Sequence, residues 1–572
     1  MFGSHVANVL RRLQRICAFY GVAPTYLLCS ATIGNPKTHA EALIGAPVTA
    51  ITTSGAPQGA RHVLLWNPPV VNADLGIRAS ARSQATRLAR SAIRARFKTL
   101  VFAPSRLLVE VITKYLKDVF DPDPRKPARI RAYRGGYLPL ERRATEKAMR
   151  AGTIDGIVST SALELGVDIG ALDAAILCGY PGSIAGCWQR LGRAGRRRQT
   201  ALGVLVASSQ ALDQYVVQHP AFFSAASPEH ARIAPDQPLI LLDHIRCAAF
   251  ELPFLAAERY GALDPADYLA VLAESGVLHA EGERYDWIAD SYPAQAVNLR
   301  SVADGNFVVV DRSEGRQTIL AEVDYSSAAL TLYEGAIYMV QSVPFQVEQL
   351  DWPGRKAYVT RTRVDYYTDA IDYTRLKVLD RFDGCKAGSG TCHHGEVHVV
   401  RRVAGYKKIR YYSHENIGYG PVSLPDQELH TTAVWWQLPP EVLEAHFPVP
   451  SVALDAFIGA SHALHTVATL AVMAEAWDLG RTVGTDQGAG WQGGPETRSS
   501  RGFAPGEVDT DECEKATPAA GDAGNPAAGG TAPRFAPTLY LFDHYPGGIG
   551  LSVEIPVHVK PAFRFMGSQC SG

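Results

Sequence analysis

From about residue 75 to 207, short apolar runs alternate with segments of helical period. Thr99-Leu100-Val101-Phe102 and the short apolar run from Gly156 to Val158 read as strands, and their alternation with helices is what a parallel α/β sheet requires. The first runs into Ala103-Pro104-Ser105-Arg106, which reads as strand, turn and helix start. From 208 to 302 the pattern turns helical and then briefly extended. A helix near Ala266 to Ser275 precedes Gly276-Val277-Leu278 and Tyr285-Asp286-Trp287-Ile288, the order of a winged helix. Residues 303–445 alternate polar and apolar positions. They predict strands at Phe307 to Val310, Thr318 to Val323, Gly335 to Gln341, Lys356 to Arg361 and Val397 to Val403. Beyond 446, Ser451 to Trp477 is an apolar helix, and Leu539-Tyr540-Leu541-Phe542 is a buried strand. Between them, Gly484 to Pro533 is dominated by Gly, Ala, Pro, Thr, Asp and Glu, the composition of a disordered insertion. At the start of the chain, Arg11 to Tyr20 predicts a helix and Thr25 to Cys29 a strand. A Gly/Pro/Asn-rich linker spans 53–74. The expected fold class is α/β: a lobe on a parallel sheet at 75–207, a winged-helix-like domain at 208–302, a β-rich accessory domain at 303–445 and an α/β C-terminal domain at 446–572.

Composition narrows this little. At 572 residues the chain exceeds one domain, and 47% apolar with 20% charged residues is ordinary for globular protein. A net charge of −1 makes any basic surface local. Nine cysteines without a disulfide-like framework fit a reducing compartment, and the cytoplasm is the expected location. Ser451 to Trp477 comes nearest to a membrane span, but Asp455, His462, His465 and Glu475 interrupt it, so no membrane partner is expected. Arg11, Arg12 and Arg15 lack a signal-peptide core; they read as an amphipathic helix, with a transit peptide as the alternative. Arg78, Arg82, Arg87, Arg90, Arg94, Arg96 and Lys98 form a run without an acid. A solvated face is its plain reading, a phosphate-backbone contact the sharper one. Cys385, Cys392, His393, His394 and His398 lack the tight Cys-x-x-Cys pairing of structural zinc sites, and no zinc or other metal site is expected.

One stretch carries the chemistry, Gln189-Arg190-Leu191-Gly192-Arg193-Ala194-Gly195-Arg196. On a helix starting near Ile184, at about 100° per residue, Gln189, Arg193 and Arg196 share one narrow face. Ile184, Cys187, Trp188 and Leu191 lie roughly opposite, where they can pack on a sheet. Two arginines three apart can close on one polyphosphate; a solvated arginine face is the alternative.

In order along the chain, Ser30-Ala31-Thr32, Thr99 to Arg106, Ser159-Thr160-Ser161-Ala162-Leu163-Glu164-Leu165-Gly166-Val167-Asp168 and Gln189 to Arg196 resemble motifs III, IV, V and VI of the superfamily 2 DEAD/DEAH-box helicases. Asp213-Gln214-Tyr215, His219-Pro220, His244 to Pro253, Glu334 to Tyr338 and Ala404 to Lys408 resemble the MrfA/Hrq-like branch of DNA helicases. So does Asp543-His544-Tyr545-Pro546-Gly547-Gly548-Ile549-Gly550, an element of the MrfA-type C-terminal domain, in which a turn-stabilising Asp543 is the favoured reading. The resemblance implies that 75–207 is a second RecA-like lobe. It makes Arg196 the arginine finger, a contribution of about 10³ to 10⁵ in rate, Arg193 a second γ-phosphate contact and Gln189 the residue that orients water or the neighbouring arginine. Gly166 would allow close approach of the chain and Asp168 would bond the ATP ribose or support Arg196. Ser159, Thr160, Ser161, Arg106, Arg134 and Gly135 would contact nucleic acid, and Ser30, Ala31 and Thr32 would couple the nucleotide site to its path. Tyr406 with Lys407 and Lys408 could stack a base and hold a phosphate, or form an ordinary hairpin.

The 572 residues contain no Gly-x-x-x-x-Gly-Lys-Ser/Thr loop and no Asp-Glu-x-His box, the parts that cradle phosphates and hold magnesium. Residues 1–52 then read as the remnant of a first RecA-like lobe, from a truncated gene, a split subunit or a fragment. The expected function is the C-terminal portion of an ATP-dependent DNA helicase, 3′ to 5′ by analogy and acting in repair. It would use ATP and Mg²⁺, with the metal's ligands on preceding sequence, and DNA and an upstream helicase segment would be its partners. Alone it is expected to be inactive. A catalytically inactive nucleic-acid-binding remnant and an RNA helicase fragment are the alternatives. The family's four-cysteine zinc cluster is absent or incomplete here, because only Cys570 follows Gly550.

Overall fold

The computed structural model describes residues 2–555 except 54, 56–58, 75, 124, 166–169, 171, 196–199, 298, 300–304, 448, 475, 486–487, 493–536, 549 and 553–554. Helix α1 (Phe2–Phe19) and α2 (Pro36–Ile44) open the chain. The expected strand at Thr25 to Cys29 does not form: these residues join no ladder, and Leu27 is 91% exposed. An apolar run becomes a strand only beside a partner that satisfies its backbone.

A six-stranded parallel sheet forms the next lobe, from β1 (Arg61–Trp66), β4 (Thr99–Phe102), β5 (Ile130–Tyr133), β6 (Gly156–Ser159), β7 (Ala174–Cys178) and β8 (Ala201–Val206), in the order β1-β8-β7-β4-β6-β5. A short ribbon of β2 (Val70–Asn72) and β3 (Ile77–Arg78) follows β1. Helices α3 (Ala81–Arg94), α4 (Arg106–Phe120), α5 (Pro139–Arg150) and α6 (Ile184–Leu191) connect the strands. The central strands are buried along their whole length, hence their unbroken apolar runs. The lobe starts earlier than expected. β1 lies inside the stretch read as linker, paired with β8 from Arg61↔Ala201 to Trp66↔Val206. Its edge position leaves it half exposed, so it lacks the apolar density that marks its neighbours.

Helices α7 (Ala211–Gln218) and α8 (Pro220–Ala225) lead to a winged-helix unit. It comprises α9 (Pro238–Glu251), β9 (Phe254–Leu255), α10 (Ala266–Glu274), β10 (Leu278–Glu281) and β11 (Arg284–Trp287), with strand order β10-β11-β9. Helix α1 docks on α9. Arg11 pairs with Asp236 at 2.7 Å, Arg12 with Glu251, and Arg15 with Glu258 at 2.5 Å, its guanidinium 3.7 Å from the Phe254 ring centroid. Between the two helices His5 Nδ1 and His244 Nε2 lie 3.0 Å apart in a hydrogen bond. Burial, reinforced by His5 and Arg12, holds His244 down at about 3, and burial also lowers His5.

The rest is mostly antiparallel. A five-stranded sheet runs β13-β12-β16-β15-β14, from β12 (Asn306–Asp311), β13 (Thr318–Asp324), β14 (Ile337–Val340), β15 (Val343–Asp351) and β16 (Lys356–Arg361), with α11 (Tyr325–Thr331) after β13. The long hairpin of β17 (Tyr366–Ala387) and β18 (Gly390–Arg410) then organises a seven-stranded sheet. It includes β19 (Asn416–Pro421), β20 (Gln427–Gln437), β21 (Leu479–Gly484), β22 (Gly488–Gln492) and β23 (Thr538–Asp543). Helices α12 (Pro440–His446) and α13 (Pro450–Val472) precede β21, and α13 packs on β21 and β23. Two expectations change here. The boundary at 445 is crossed, because β23 extends β20 from Ala433↔Phe542 to Gln437↔Thr538. The supposed insertion begins later than 484, because β22 pairs with β17; residues 493–533 lie outside the described residues.

The parallel lobe and the five-stranded sheet meet at the β14–β15 turn. Arg134 Nε donates to Glu110 Oε1 at 2.7 Å, both side chains almost fully buried. Tyr137 Oη donates to the same oxygen at 2.5 Å, and the Ser342 amide donates to Oε2 at 2.7 Å. Arg134 Nη2 reaches the Met339 carbonyl at 2.6 Å. The Gln341 side chain pairs both ways with the Ala132 backbone, at 2.9 and 3.0 Å, as a strand would.

Two outcomes follow for stability. Glu110→Ala leaves Arg134 buried without its carboxylate and should cost about 3–5 kcal/mol, whereas Glu110→Leu with Arg134→Met should recover only part of the loss, because the Tyr137 hydroxyl, the Ser342 amide and the Met339 carbonyl lose their partners; urea unfolding midpoints check both. The second concerns pH. An unfolded imidazole titrates near about 6.5, well above the folded His244. The stability tied to keeping it neutral is complete above that value and lost as pH falls toward 3. Between about pH 6.5 and 5 this should remove about 2 kcal/mol, and His244→Gln should flatten that part of the melting-temperature profile.

Candidate nucleotide and nucleic-acid site

In a parallel sheet, ligands collect at the carboxyl ends of the strands. Here β4, β5 and β6 end side by side, with Phe102 and Tyr133 both in register with Ser159. Their loops bring Arg106, Arg134-Gly135 and Ser159-Thr160-Ser161 to one edge. Ser105 caps α4 by accepting from the Leu108 amide at 3.2 Å. Ser159 is buried, while Ser161 is exposed at the start of a single 3₁₀ turn, Ser161–Leu163, for which Thr160 is the cap. The Thr160 hydroxyl accepts from the Ala162 amide at 3.4 Å, and the exposed Ser161 hydroxyl at the start of the turn suits a backbone phosphate.

Two members of the expected set are engaged elsewhere. Arg134 is buried against Glu110, so its guanidinium holds domains together and does not face nucleic acid. Burial disfavours its charge, but Tyr338, Glu110 and Tyr137 outweigh that and hold it above its ordinary pKa. Arg106 pairs with Asp324 at 2.7 Å. The Asp324 carboxyl sits at about 2 because Arg106 and the Ser326 and Ser327 hydroxyls overcome the effect of burial. Gly135 lies beneath Arg106, where an added Cβ would sit 3.7 Å from Nη2.

Helix α6 presents Ile184, Cys187 and Leu191 to the core and stacks Trp188 on Phe223 at 4.5 Å, the apolar face the pattern predicts. The helix stops at Leu191, however, with Gly192 as its cap. Gln189 is on the helix and Arg193 beyond it, so one continuous helical face does not carry both. The glycine ends the helix where the 100° projection assumed it continued. Arg193 is 7% exposed, and its Nη2 donates to the Glu164 carbonyl. Arg190 Nε donates to the Glu164 carboxylate at 2.8 Å. Glu164 thus ties the Ser-Thr-Ser turn to the arginine segment. It was missed because a single acid between Leu163 and Leu165 has no pattern of its own. Gly166, Asp168 and Arg196 lie outside the described residues.

Asp213, 2% exposed, links the loops after β7 and β8 by accepting from the Tyr180 amide at 3.2 Å and the Ser208 amide at 2.6 Å. Burial raises its pKa against these bonds. Ser30 and Ala31 are exposed and Thr32 half-buried; the chain just past them is bonded to residues 229–231.

Other candidates resolve structurally. On α3, Arg90 turns inward to the Tyr115 carbonyl at 2.9 Å, leaving Arg87 and Arg94 exposed. Tyr406 is 9% exposed and stacks on Tyr333 at 5.0 Å, so it belongs to a core and cannot receive a base. Cys385 faces Cys392 across the β17–β18 hairpin, and no metal-competent group of three or more His, Cys, Asp or Glu occurs among the described residues. The Asp543 carboxylate, fully buried, accepts from the Leu551 and Ser552 amides at 3.2 and 3.0 Å, which makes it turn-stabilising. Among the described residues no helix is long and apolar enough to cross a membrane.

Known proteins resemble this chain in sequence and fold. Residues 84–198 match the helicase conserved C-terminal domain, and 233–302 match the winged helix domain of the ATP-dependent helicase HRQ1. The chain is 42% identical over 558 residues to the ATP-dependent helicase YprA of Bacillus subtilis, covering 97% of this chain and 68% of that protein. The chain belongs to the MrfA/Hrq1-like branch of the superfamily 2 helicases. To the ATP-dependent helicase HRQ1 of Saccharomyces cerevisiae it is 31% identical, over 81% of this chain and 44% of that one. The crystal structure of the DUF1998 helicase MrfA bound to DNA superposes with a TM-score of 0.78 at 40% identity, covering 99% of this chain and 70% of that one. The chain thus spans about two thirds of its bacterial relative and under half of the yeast one.

Proposed function

We propose that this chain supplies the second RecA-like lobe, winged helix and accessory domains of an ATP-dependent DNA helicase. The observation that carries this reading is the Glu164-centred tie between the Ser-Thr-Ser turn and the arginine segment, in a chain of this family. Arg193 and Arg196 would complete an ATP site, with Gln189, Gly166 and Asp168 around it. Arg193 is held at the Glu164 carbonyl, beside the Gly195 amide that donates to the Leu172 carbonyl ahead of β7, and from there it would reach toward the nucleotide. Bound ATP with Mg²⁺ would supply the free energy for movement, and its metal ligands would come from a first lobe. That lobe would belong to a preceding segment of the same protein or to a separate chain.

Ser159, Thr160, Ser161 and the Gly135 loop would take the DNA backbone, with Arg106 joining them by leaving Asp324. Ser30, Ala31 and Thr32 would couple this path to the nucleotide. DNA is favoured over RNA because the MrfA structure of similar fold is bound to DNA. Movement 3′ to 5′ and a role in repair belong to the same proposal. Exposed apolar residues on the opening segments, Leu27 at 91% and Ile51 at 87%, support a missing neighbour there.

The test is ATP hydrolysis with and without single-stranded DNA. The chain alone should be inactive, and a segment carrying the first lobe should restore DNA-stimulated hydrolysis. Arg196→Ala in that pair should reduce the rate by about 10³-fold or more. Robust hydrolysis by the chain alone would overturn the need for a first lobe. DNA binding with no hydrolysis in any combination would make this a binding remnant.

A further inference from the structure

The loop between α8 and α9 is bonded both to the opening segment and to the start of α6, and Glu229 contributes to both contacts. The Glu229 carboxylate occupies the start of α6. Oε1 accepts from the Ile184 amide at 2.5 Å and Oε2 from the Ala185 amide at 3.0 Å, while Ser183 Oγ takes the Gly186 amide at 3.0 Å. Three of the four amides that a helix leaves unpaired at its start are thus satisfied, two of them by one residue 44 or 45 positions away. A carboxylate there also complements the helix dipole.

The same residue holds the opening segment. The Glu229 carbonyl accepts from the Gly34 amide at 3.0 Å, two positions after Thr32. Next to it Asn35 bonds Ala231 in both directions, Nδ2 to the carbonyl at 3.0 Å and Oδ1 from the amide at 2.8 Å. The fit is tight, because a Cβ on Gly34 would stand 2.3 Å from the Pro228 carbonyl oxygen. Further on, the Ala234 amide donates to Ser4 Oγ at 3.0 Å, and Asn8 Nδ2 donates to the Pro235 carbonyl at 2.8 Å. The loop is thus bonded to the opening segment at Ser4, Asn8, Gly34 and Asn35 and to the start of α6 through the Glu229 side chain.

We propose that Glu229 is a positioning residue, a strap that transmits displacement of the Ser-Ala-Thr segment to the helix that delivers Gln189 and Arg193. The proposal rests on the helicase reading above. It assigns the coupling to a residue outside the helicase motifs: when the opening segment moves, the start of α6 is pulled or released as a unit.

Hydrogen–deuterium exchange of the full chain separates this from a purely local cap. Gly34→Ala must push Pro228 aside and should speed exchange of the Ile184 and Ala185 amides about tenfold, the loss of roughly one hydrogen bond. Glu229→Ala should match it, and Glu229→Gln, which keeps one acceptor, should fall between. Asn35→Ala is the gentler perturbation should Gly34→Ala fail to fold. Changes confined to residues 31–36 and 227–231 would overturn the strap. With a first-lobe segment present, Glu229→Ala should lower kcat about tenfold while leaving KM for ATP nearly unchanged, with partial rescue in Glu229→Gln. A rise in KM at constant kcat would overturn the positioning role. Should the unmodified pair hydrolyse no ATP, the helicase reading fails, while the exchange experiment still decides the strap.

Discussion

The architecture depends on one buried ion pair and the turn it secures. Glu110 on α4 and Arg134 after β5 neutralise each other where the parallel lobe meets the five-stranded sheet. Their remaining bonding capacity goes to Tyr137, Ser342 and Met339. The turn they hold is itself unfavourable, since Gln341 and Ser342 have φ of 52° and 64°, a region that non-glycine residues enter at a cost of order 1–3 kcal/mol. Lys117 adds a bond to the Gln341 carbonyl at 2.8 Å. A lone carboxylate or guanidinium at this depth would be far costlier than the pair. The lobe and the accessory sheet are therefore joined by a set of buried polar groups that satisfy one another.

That junction fixes the geometry of the site. The loop Arg134–Tyr137 lies along β13, where the Glu322 amide donates to the Gly136 carbonyl at 2.9 Å. Gly136, at φ 92°, approaches so closely that a Cβ would be 2.7 Å from the Glu322 oxygen. Arg106 is drawn to Asp324 on the same strand. Residues that a motif reading assigns to nucleic acid are thus shared with the accessory domain, and this sharing orients the edge at which Ser161 is exposed.

The parts legible in the sequence were those governed by local period. The buried strands Thr99–Phe102 and Gly156–Ser159 and the apolar face of α6 follow directly from it. Long-range partnership was not legible. Strand β1 is set by its ladder with β8, β23 by its place beside β20, and the absence of a strand at 25–29 by the lack of a partner. The site shows the same division. Ser159 to Ser161 and Arg193 stand out by residue type. Glu164, Asp213 and Glu229 act through single carboxylates whose partners lie up to 45 positions away, and spacing carries no trace of that.

The last sheet also bears on how the chain tolerates change. β21 and β23 are neighbours, ending at Gly484↔Thr538, and β22 is anchored separately to β17. Both ends of the stretch between Gln492 and Thr538 are therefore fixed on one sheet whatever its length. Between two fixed ends, each doubling of a flexible connection costs only about 0.6 kcal/mol. With both ends held by their own ladders, a flexible connection of any length leaves the sheet's pairing unchanged, so a reporter module spliced between Gln492 and Thr538 would be carried by the last sheet and not by the lobe.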